Sequence, residues 1–223
     1  MRKMYLSAPL PFVGQKRMLA KEFMKVLEQY PDGTLFVDLF GGSGLLSHIT
    51  KSLKPHSTVI YNDFDNYRFR MKHIPQTNQL LADIREMVGN SVPRHKIIKG
   101  ELRERIFSRI EQEENSTGYV DFITLSSSIL FSMKYKLSVQ DMRKEALYNN
   151  IRKTGYPECT DYLEGLEIVS CDYKEVFNRY KDIPGVVFLV DPPYLSTDVG
   201  TYNMYWNMAD YLDVLNVLKG HSY

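Results

Sequence analysis

Residues 35–44 read LFVDLFGGSG, and this segment sets the architecture expected for the whole chain. Its first six residues are apolar except for Asp38, and the turn signal Pro31-Asp32-Gly33 precedes them. This pattern predicts a buried strand of a parallel sheet. The glycines that follow allow the backbone to turn into a helix and to approach a ligand closely. No Gly-Lys-Ser/Thr follows, so the segment is not a phosphate loop, and a simple strand-to-helix turn remains the alternative.

Three further apolar runs predict strands, and helical patterns lie between them. The runs are TVIYN at 58–62, LEIVS at 166–170 and VVFLV at 186–190. Helices are predicted at 15–29, 44–53, 78–88, 99–113, 173–180 and 208–218. Alternating strands and helices are typical of an α/β fold with a parallel sheet. The region from 68 to 165 departs from this alternation and is interpreted as an insertion.

An aspartate stands at or just after the end of each predicted strand: Asp38, Asp63, Asp172 and Asp191. Ligands of open α/β sheets bind beyond the carboxyl ends of the strands, so we expect all four carboxylates at one edge. A carboxylate at the end of the second strand can accept hydrogen bonds from both hydroxyls of a ribose. The alternative is that Asp63 or Asp65 caps a helix.

The segment Asp191-Pro192-Pro193-Tyr194 follows the most apolar of the four runs. Two successive prolines fix two φ angles and remove two N–H donors, so the backbone presents carbonyls without competing donors. A carboxylate and a proline carbonyl suit an amino group, which donates hydrogen bonds. The ring of Tyr194 offers a plane on which a base can stack. The structural alternative is that Pro-Pro simply ends a strand.

Composition limits the class of protein. The 223 residues suit one principal domain with an inserted subdomain. The two cysteines, Cys159 and Cys171, lack metal-ligand spacing and the five histidines are scattered, so we expect neither a disulfide framework nor a metal site. No signal peptide opens the chain, and no apolar run approaches the about 20 residues of a membrane helix. These features predict a cytoplasmic protein.

The near-neutral net charge of +1 hides a basic middle segment. Residues 66–153 contain 16 lysines and arginines against 10 aspartates and glutamates. A basic insertion on an acidic frame indicates where a polyanion would bind, although a solvated helical face gives the same count.

These segments together resemble the Dam-like D12 class of adenine-N6 DNA methyltransferases. The resemblance rests on PFVGQKR at 11–17, on 36–44 and on the tetrapeptide 191–194, with Asn62-Asp63 and 171–173 between them. It implies a Rossmann-like α/β sheet that uses S-adenosylmethionine and carries a mainly helical insertion. The family's later strands are expected to be missing here, since the chain ends soon after the tetrapeptide. Residues 1–67 and 166–223 would form the catalytic domain, and 68–165 the target-recognition region.

The resemblance also implies roles for individual residues. The donor-binding residues would be Phe12, Gly14, Lys16, Asp38, Phe40, Gly41, Gly42, Gly44, Asp63, Asp172 and Tyr173. Within this set, Lys16 would face the donor's carboxylate, and Asp63 would bind its ribose. The catalytic residues would be Asp191, Pro192, Pro193 and Tyr194, acting without metal on an adenine that is flipped out of the duplex.

Double-stranded DNA is the expected partner, and self-association through the incomplete sheet edge is a second expectation. The residues expected to contact the DNA backbone are Lys134, Lys136, Arg143 and Lys144. The loop 195–206 is expected to close over the flipped base. Two alternatives stay open: a methyltransferase acting on RNA adenine or protein glutamine, and a non-catalytic protein that binds DNA or the donor.

Overall fold

The computed structural model describes residues 3–131, 135–193 and 207–219. The strands are β1 (Phe36–Asp38), β2 (Val59–Asn62), β3 (Ile97–Ile98), β4 (Leu147–Tyr148), β5 (Glu167–Val169) and β6 (Val187–Leu189). The helices are α1 (Ala20–Leu27), α2 (Leu45–Leu53), α3 (Tyr67–Lys72), α4 (Ile74–Val88), α5 (Gly100–Thr117), α6 (Phe122–Ile129), α7 (Val139–Arg143), α8 (Tyr173–Tyr180) and α9 (Met208–Leu218).

Four strands form a parallel sheet in the order β5-β2-β1-β6. These are the four strands that the apolar runs predict, each trimmed by one or more residues at its ends. The predicted α/β fold with a parallel sheet is therefore confirmed. The register places Phe36 beside Val59 and Val187, and the next residue, Val37, beside Ile60 and Phe188.

Both faces of this sheet are covered by helices. Phe36, Val59 and Val187 pack with Leu27 of α1 and Ile49 of α2. Residues one position further along the strands point to the opposite face. There Val37, Ile60 and Phe188 pack with Val176 of α8 and Val214 of α9. Burial on both faces explains why the strands read as continuous apolar runs instead of alternating polar and apolar residues.

The chain divides into two compact units: residues 1–8, 12–69 and 159–223 in the first, and residues 9–11 and 70–158 in the second. The second unit contains helices α4 to α7 and the antiparallel pair β3-β4. A buried ion pair lies inside it, with Arg70 Nε 3.2 Å from Asp121 Oδ1. Among the described residues, no helix is long and apolar enough to cross a membrane.

All six predicted helices are present, but α1 spans 20–27 and not 15–29. Helices α8 and α9 have the predicted bounds. Helix α4 begins four residues earlier than expected, because Pro75 occupies its first turn, where a backbone N–H is not needed. Helices α3, α6 and α7 and the pair β3-β4 were not predicted. Elements as short as α3, α7, β3 and β4 carry little periodicity.

The side-chain amide of Asn62 joins the ends of three neighbouring strands. Asn62 ends the inner strand β2 and is 1% exposed. Its Nδ2 donates to the carbonyl of Leu39, just after β1, and to that of Cys171, after β5, each at 2.9 Å. Its Oδ1 accepts from the N–H of Cys171 at 3.1 Å. One amide therefore fixes the backbone on both sides of β2 at the carboxyl edge of the sheet.

We expect Asn62→Ala to lower the free energy of unfolding by about 3 kcal/mol, because it leaves backbone groups without partners at a buried position. Urea denaturation followed by circular dichroism measures this. Asn115→Ala, on the exposed side of α5, is the control and should change stability by less than about 0.5 kcal/mol. Equal stability of the two variants would contradict the role assigned to Asn62.

Candidate functional site

A cleft opens at the carboxyl edge of the parallel sheet, within the first unit. The residues that line it are Phe12, Val13, Gly14, Gln15, Lys16, Asp38, Leu39, Phe40, Gly41, Gly42, Ser43, Leu45, Leu46, Asn62, Phe64, Asp65, Asp172, Tyr173, Asp191, Pro192 and Pro193. Segments far apart in sequence thus meet at the edge where the carboxylates were expected.

The glycine turn after β1 is dictated by space and by backbone conformation. A Cβ on Gly41 would lie 2.3 Å from the ring of Tyr61 and 2.6 Å from the carbonyl of Asn62. Gly42 and Gly44 have φ angles of 51° and 71°, which side-chain-bearing residues rarely adopt. Of these glycines, Gly41 and Gly42 line the cleft, whereas Gly44 precedes α2. The turn therefore offers backbone at the cleft surface with no side chain in the way.

Aromatic rings form part of the cleft wall. The rings of Phe40 and Tyr173 lie with their centroids 4.9 Å apart and their planes tilted by 32°. Phe12 meets Tyr67 edge to face, with centroids 5.8 Å apart. Phe64, directly after Asp63, is 41% exposed although it is a large apolar side chain. Such a wall suits a flat apolar group such as a nucleobase.

Lys16 and Asp191 form an ion pair inside the cleft. Lys16 Nζ lies 2.7 Å from Asp191 Oδ2, and the two side chains are 14% and 24% exposed. The same ammonium donates to the carbonyl of Gly14 at 3.0 Å. Burial raises the pKa of Asp191 above its ordinary value, and Lys16 opposes that rise because it stabilises the ionised carboxylate. This ion pair thus connects the N-terminal segment 11–17 with the segment Asp191-Pro192-Pro193.

Asp38 is the most deeply buried carboxyl group of the cleft. It is 1% exposed and accepts a hydrogen bond from Ser47 Oγ at 2.7 Å. Burial raises the pKa of Asp38 to about 7, the hydrogen bond from Ser47 opposes the rise, and the nearby Asp191 adds to it. The carboxyl group of Asp38 therefore changes between its protonated and ionised forms near neutral pH.

Asp63 acts as a helix cap. Its Oδ1 accepts from the N–H of Tyr67 at 2.6 Å and its Oδ2 from the N–H of Arg68 at 3.0 Å, at the start of α3. The hydroxyl of Tyr61 lies 3.0 Å from Oδ1. Burial raises the pKa of Asp63, and these backbone donors oppose the rise. Asp65, and not Asp63, is among the residues that line the cleft.

Most of the other predicted site residues line the cleft, and some lie outside the described residues. Phe12, Gly14, Phe40, Asp172, Tyr173, Pro192 and Pro193 all line the cleft. Asp172 also caps α8, since its carboxylate accepts from the N–H of Lys174 at 2.8 Å. Tyr194, Lys134 and the loop 195–206 lie outside the described residues. Their predicted roles stay predictions.

Three residues predicted to contact DNA are held in ion pairs. Lys136 Nζ lies 3.0 Å from Glu145, and Lys144 Nζ lies 2.7 Å from Asp141. Arg143 pairs with Glu104 at 2.7 Å and with Glu111 at 3.0 Å. Their positive charges are compensated locally, which a count of lysines and arginines does not reveal.

Sequence reasoning gave no site role to Ser47, Phe64 or Asp65, and it treated Asn62 only as part of a motif. A polar residue at the end of an otherwise apolar run was the available signal for Asn62. Ser47 follows the glycine turn by one helical turn, which predicts that it faces back toward Asp38. Within the described ranges, no group of three histidine, cysteine, aspartate or glutamate side chains is arranged to hold a metal ion.

Comparison with known proteins agrees with this geometry. Residues 12–218 match the family described as D12 class N6 adenine-specific DNA methyltransferase. A Haemophilus influenzae protein named "Putative methyltransferase" is 38% identical over 224 aligned residues. The alignment covers 98% of this chain and 75% of that protein.

We expect the buried carboxyl of Asp38 to make stability depend on pH. Its pKa of about 7 in the folded state exceeds the ordinary value of 3.8, so ionisation favours unfolding, and stability falls as pH rises between these values. Asp38→Asn keeps an acceptor for Ser47 and removes this titration. Its stability relative to the original chain should therefore rise from pH 4.5 to pH 7 and then level off.

Urea denaturation at several pH values measures that difference, with Asp182→Asn, at an exposed turn before β6, as the control. A difference for Asp38→Asn that stays constant across this range would refute the assignment.

Proposed function

The chain belongs to the D12 class of N6 adenine-specific DNA methyltransferases, and we propose that it transfers a methyl group from S-adenosylmethionine to N6 of adenine in double-stranded DNA. The observation that carries this proposal is the cleft itself. It brings the glycine turn, Lys16 and the Asp191-Pro192-Pro193 segment to one edge of the sheet. In this proposal a donor site and an amino-group site would be adjacent.

The charge and shape of the cleft suit this donor. Its lining contains four aspartates, Asp38, Asp65, Asp172 and Asp191, against one lysine. S-Adenosylmethionine carries a sulfonium and an ammonium against one carboxylate, so its net charge complements an acidic site. The absence of a side chain at Gly41 lets the turn that borders the cleft pack directly against the ring of Tyr61.

We assign the donor contacts to residues that line the cleft. Phe40, Gly41 and Gly42 would border the donor, and Lys16 would face its carboxylate. Asp172 and Tyr173 would flank its adenine. For the ribose hydroxyls we favour Asp65 over Asp63, because Asp65 lines the cleft and Asp63 does not.

The chain's own residues would hold the target amino group. When bound, the donor supplies an electrophilic methyl carbon. The Asp191 carboxylate and the Pro192 carbonyl would accept hydrogen bonds from N6, orient its lone pair and stabilise the positive charge that develops there. The hydroxyl of Tyr211 donates to the carbonyl of Pro193 and so helps to fix this backbone. Tyr194 would stack on the adenine, whose flipping costs a few kcal/mol.

Finer features belong to the same proposal. We infer that the 68–165 region recognises the target sequence and that the enzyme is site-specific and acts inside the cell. Self-association would use the outer strands β5 and β6 of the sheet. An RNA adenine methyltransferase would use a similar cleft, and the family match favours DNA.

We expect Asp191→Ala to lower methyl transfer at least about a hundredfold, because an acceptor aimed at N6 is lost. Binding of S-adenosylmethionine, measured by calorimetry, should remain largely intact. Transfer is measured as N6-methyladenine in digested DNA. Asp182→Ala is the control and should behave as the original chain does. A parallel loss of donor binding and transfer would overturn the role of Asp191.

We expect Lys16→Met to move the acidic limb of the pH–rate profile upward. Burial raises the pKa of Asp191, and Lys16 opposes that rise, so removal of the ammonium raises the pKa further. The rate should therefore fall more at pH 6.5 than at pH 8.5. Lys21→Met, at an exposed position of α1, is the control. A uniform fall at all pH values would show that Lys16 does not act through Asp191.

A further inference from the structure

Ion pairs neutralise most of the acidic residues of the insertion. Residues 66–153 hold 16 basic and 10 acidic side chains. Seven of these acidic side chains pair with Arg70, Arg103, Arg109, Lys136, Arg143 and Lys144. The excess positive charge of this region therefore resides on other side chains.

Four of the residues that carry this charge are neighbours on the second unit. Arg85, in α4, donates from Nε to the carbonyl of Arg152 at 2.8 Å. Arg94, before β3, donates from Nη1 to the carbonyl of Ile151 at 2.7 Å. Lys153 follows directly in the chain. We call Arg85, Arg94, Arg152 and Lys153 the arginine cluster; three distant segments contribute to it.

The charge of the arginine cluster is not compensated by the described residues. No ion pair among them involves any of its four members, and the carbonyls that Arg85 and Arg94 contact are neutral. Glu86 is next to Arg85 on α4, but adjacent helix residues do not face each other. Each guanidinium has five N–H donors, so most remain available for an anion.

The arginine cluster is exposed and partly ordered in advance. Arg94, Arg152 and Lys153 are exposed. The carbonyl contacts hold Arg85 and Arg94, and the guanidinium of Arg152 lies 4.3 Å from the centre of the Tyr156 ring. Fixing these long side chains before binding lowers the entropy lost when a ligand binds. Like charges held together repel, and an anion between them relieves that repulsion.

We propose that the arginine cluster binds phosphate groups of the DNA backbone. Guanidinium groups match phosphate with paired hydrogen bonds, and several of them side by side suit a polyanion. The proposal rests on the proposed function for the choice of DNA as the polyanion. Phosphate contacts fix the position of a protein on the duplex and carry no sequence information. The effect should therefore be independent of base sequence.

The test is the affinity of the full chain for a fluorescein-labelled duplex of about 20 base pairs, measured by anisotropy at several salt concentrations. The variant is Arg94→Gln, Arg152→Gln and Lys153→Gln combined. Its affinity should fall at least about tenfold, and the slope of log affinity against log salt should decrease by about 2 to 3. The control, Lys21→Gln, Arg179→Gln and Lys219→Gln combined, has the same charge change and should keep the original slope.

A second variant, Arg94→Lys with Arg152→Lys, keeps both positive charges. It therefore shows whether the glutamine variant loses affinity through lost charge or through misfolding. It should keep the salt slope and lose only part of the affinity. If the glutamine variant binds as the original chain does, or the control loses as much, the proposal is overturned. Methylation of the same duplex by the original chain is measured in parallel. If the original chain methylates the duplex and the glutamine variant binds DNA with unchanged affinity, only the proposal for the arginine cluster is overturned. If the original chain does not bind the duplex, both proposals are overturned.

Discussion

The amide of Asn62 holds the edge of the sheet on which the site is built. Its hydrogen bonds reach across β2 to the backbone that follows β1 and β5. The glycine turn leaves the sheet after β1, and the segment that precedes α8 leaves it after β5. An amide at this position supplies both a donor and an acceptor, which no apolar side chain can do. The cleft therefore depends on one buried polar group whose partners are all backbone.

Electrostatics decides what this cleft can hold. Carboxylates collect there because an aspartate stands at the end of each strand of the sheet or within three residues after it. Burial raises the pKa of Asp38, Asp63 and Asp191. Lys16 offsets part of the cost of burying negative charge through its 2.7 Å contact with Asp191. A cationic ligand would offset more of that cost. The burial that raises these pKa values thus favours a positively charged ligand, which in turn would stabilise the ionised form of the carboxylates.

The fold could be predicted from sequence because the four strands of the parallel sheet are buried on both faces. Each of them therefore appears in the sequence as an apolar run. The site was predicted as far as the strand ends, which topology brings together. What escaped prediction depends on local geometry. The sequence left open whether Asp63 caps a helix, and it does so because the short, unpredicted helix α3 begins four residues later. The charges of Lys136, Arg143 and Lys144 are paired with acids that composition does not locate. Side-chain pairing of this kind requires coordinates.

The most direct test of the account is the transfer of tritium from labelled S-adenosylmethionine to unmethylated duplex DNA, followed by analysis of the nucleosides. Single-stranded DNA and RNA are run beside it. The account predicts labelled N6-methyladenine from the duplex. Label in RNA alone, or no label in any nucleic acid while the donor still binds, would contradict it.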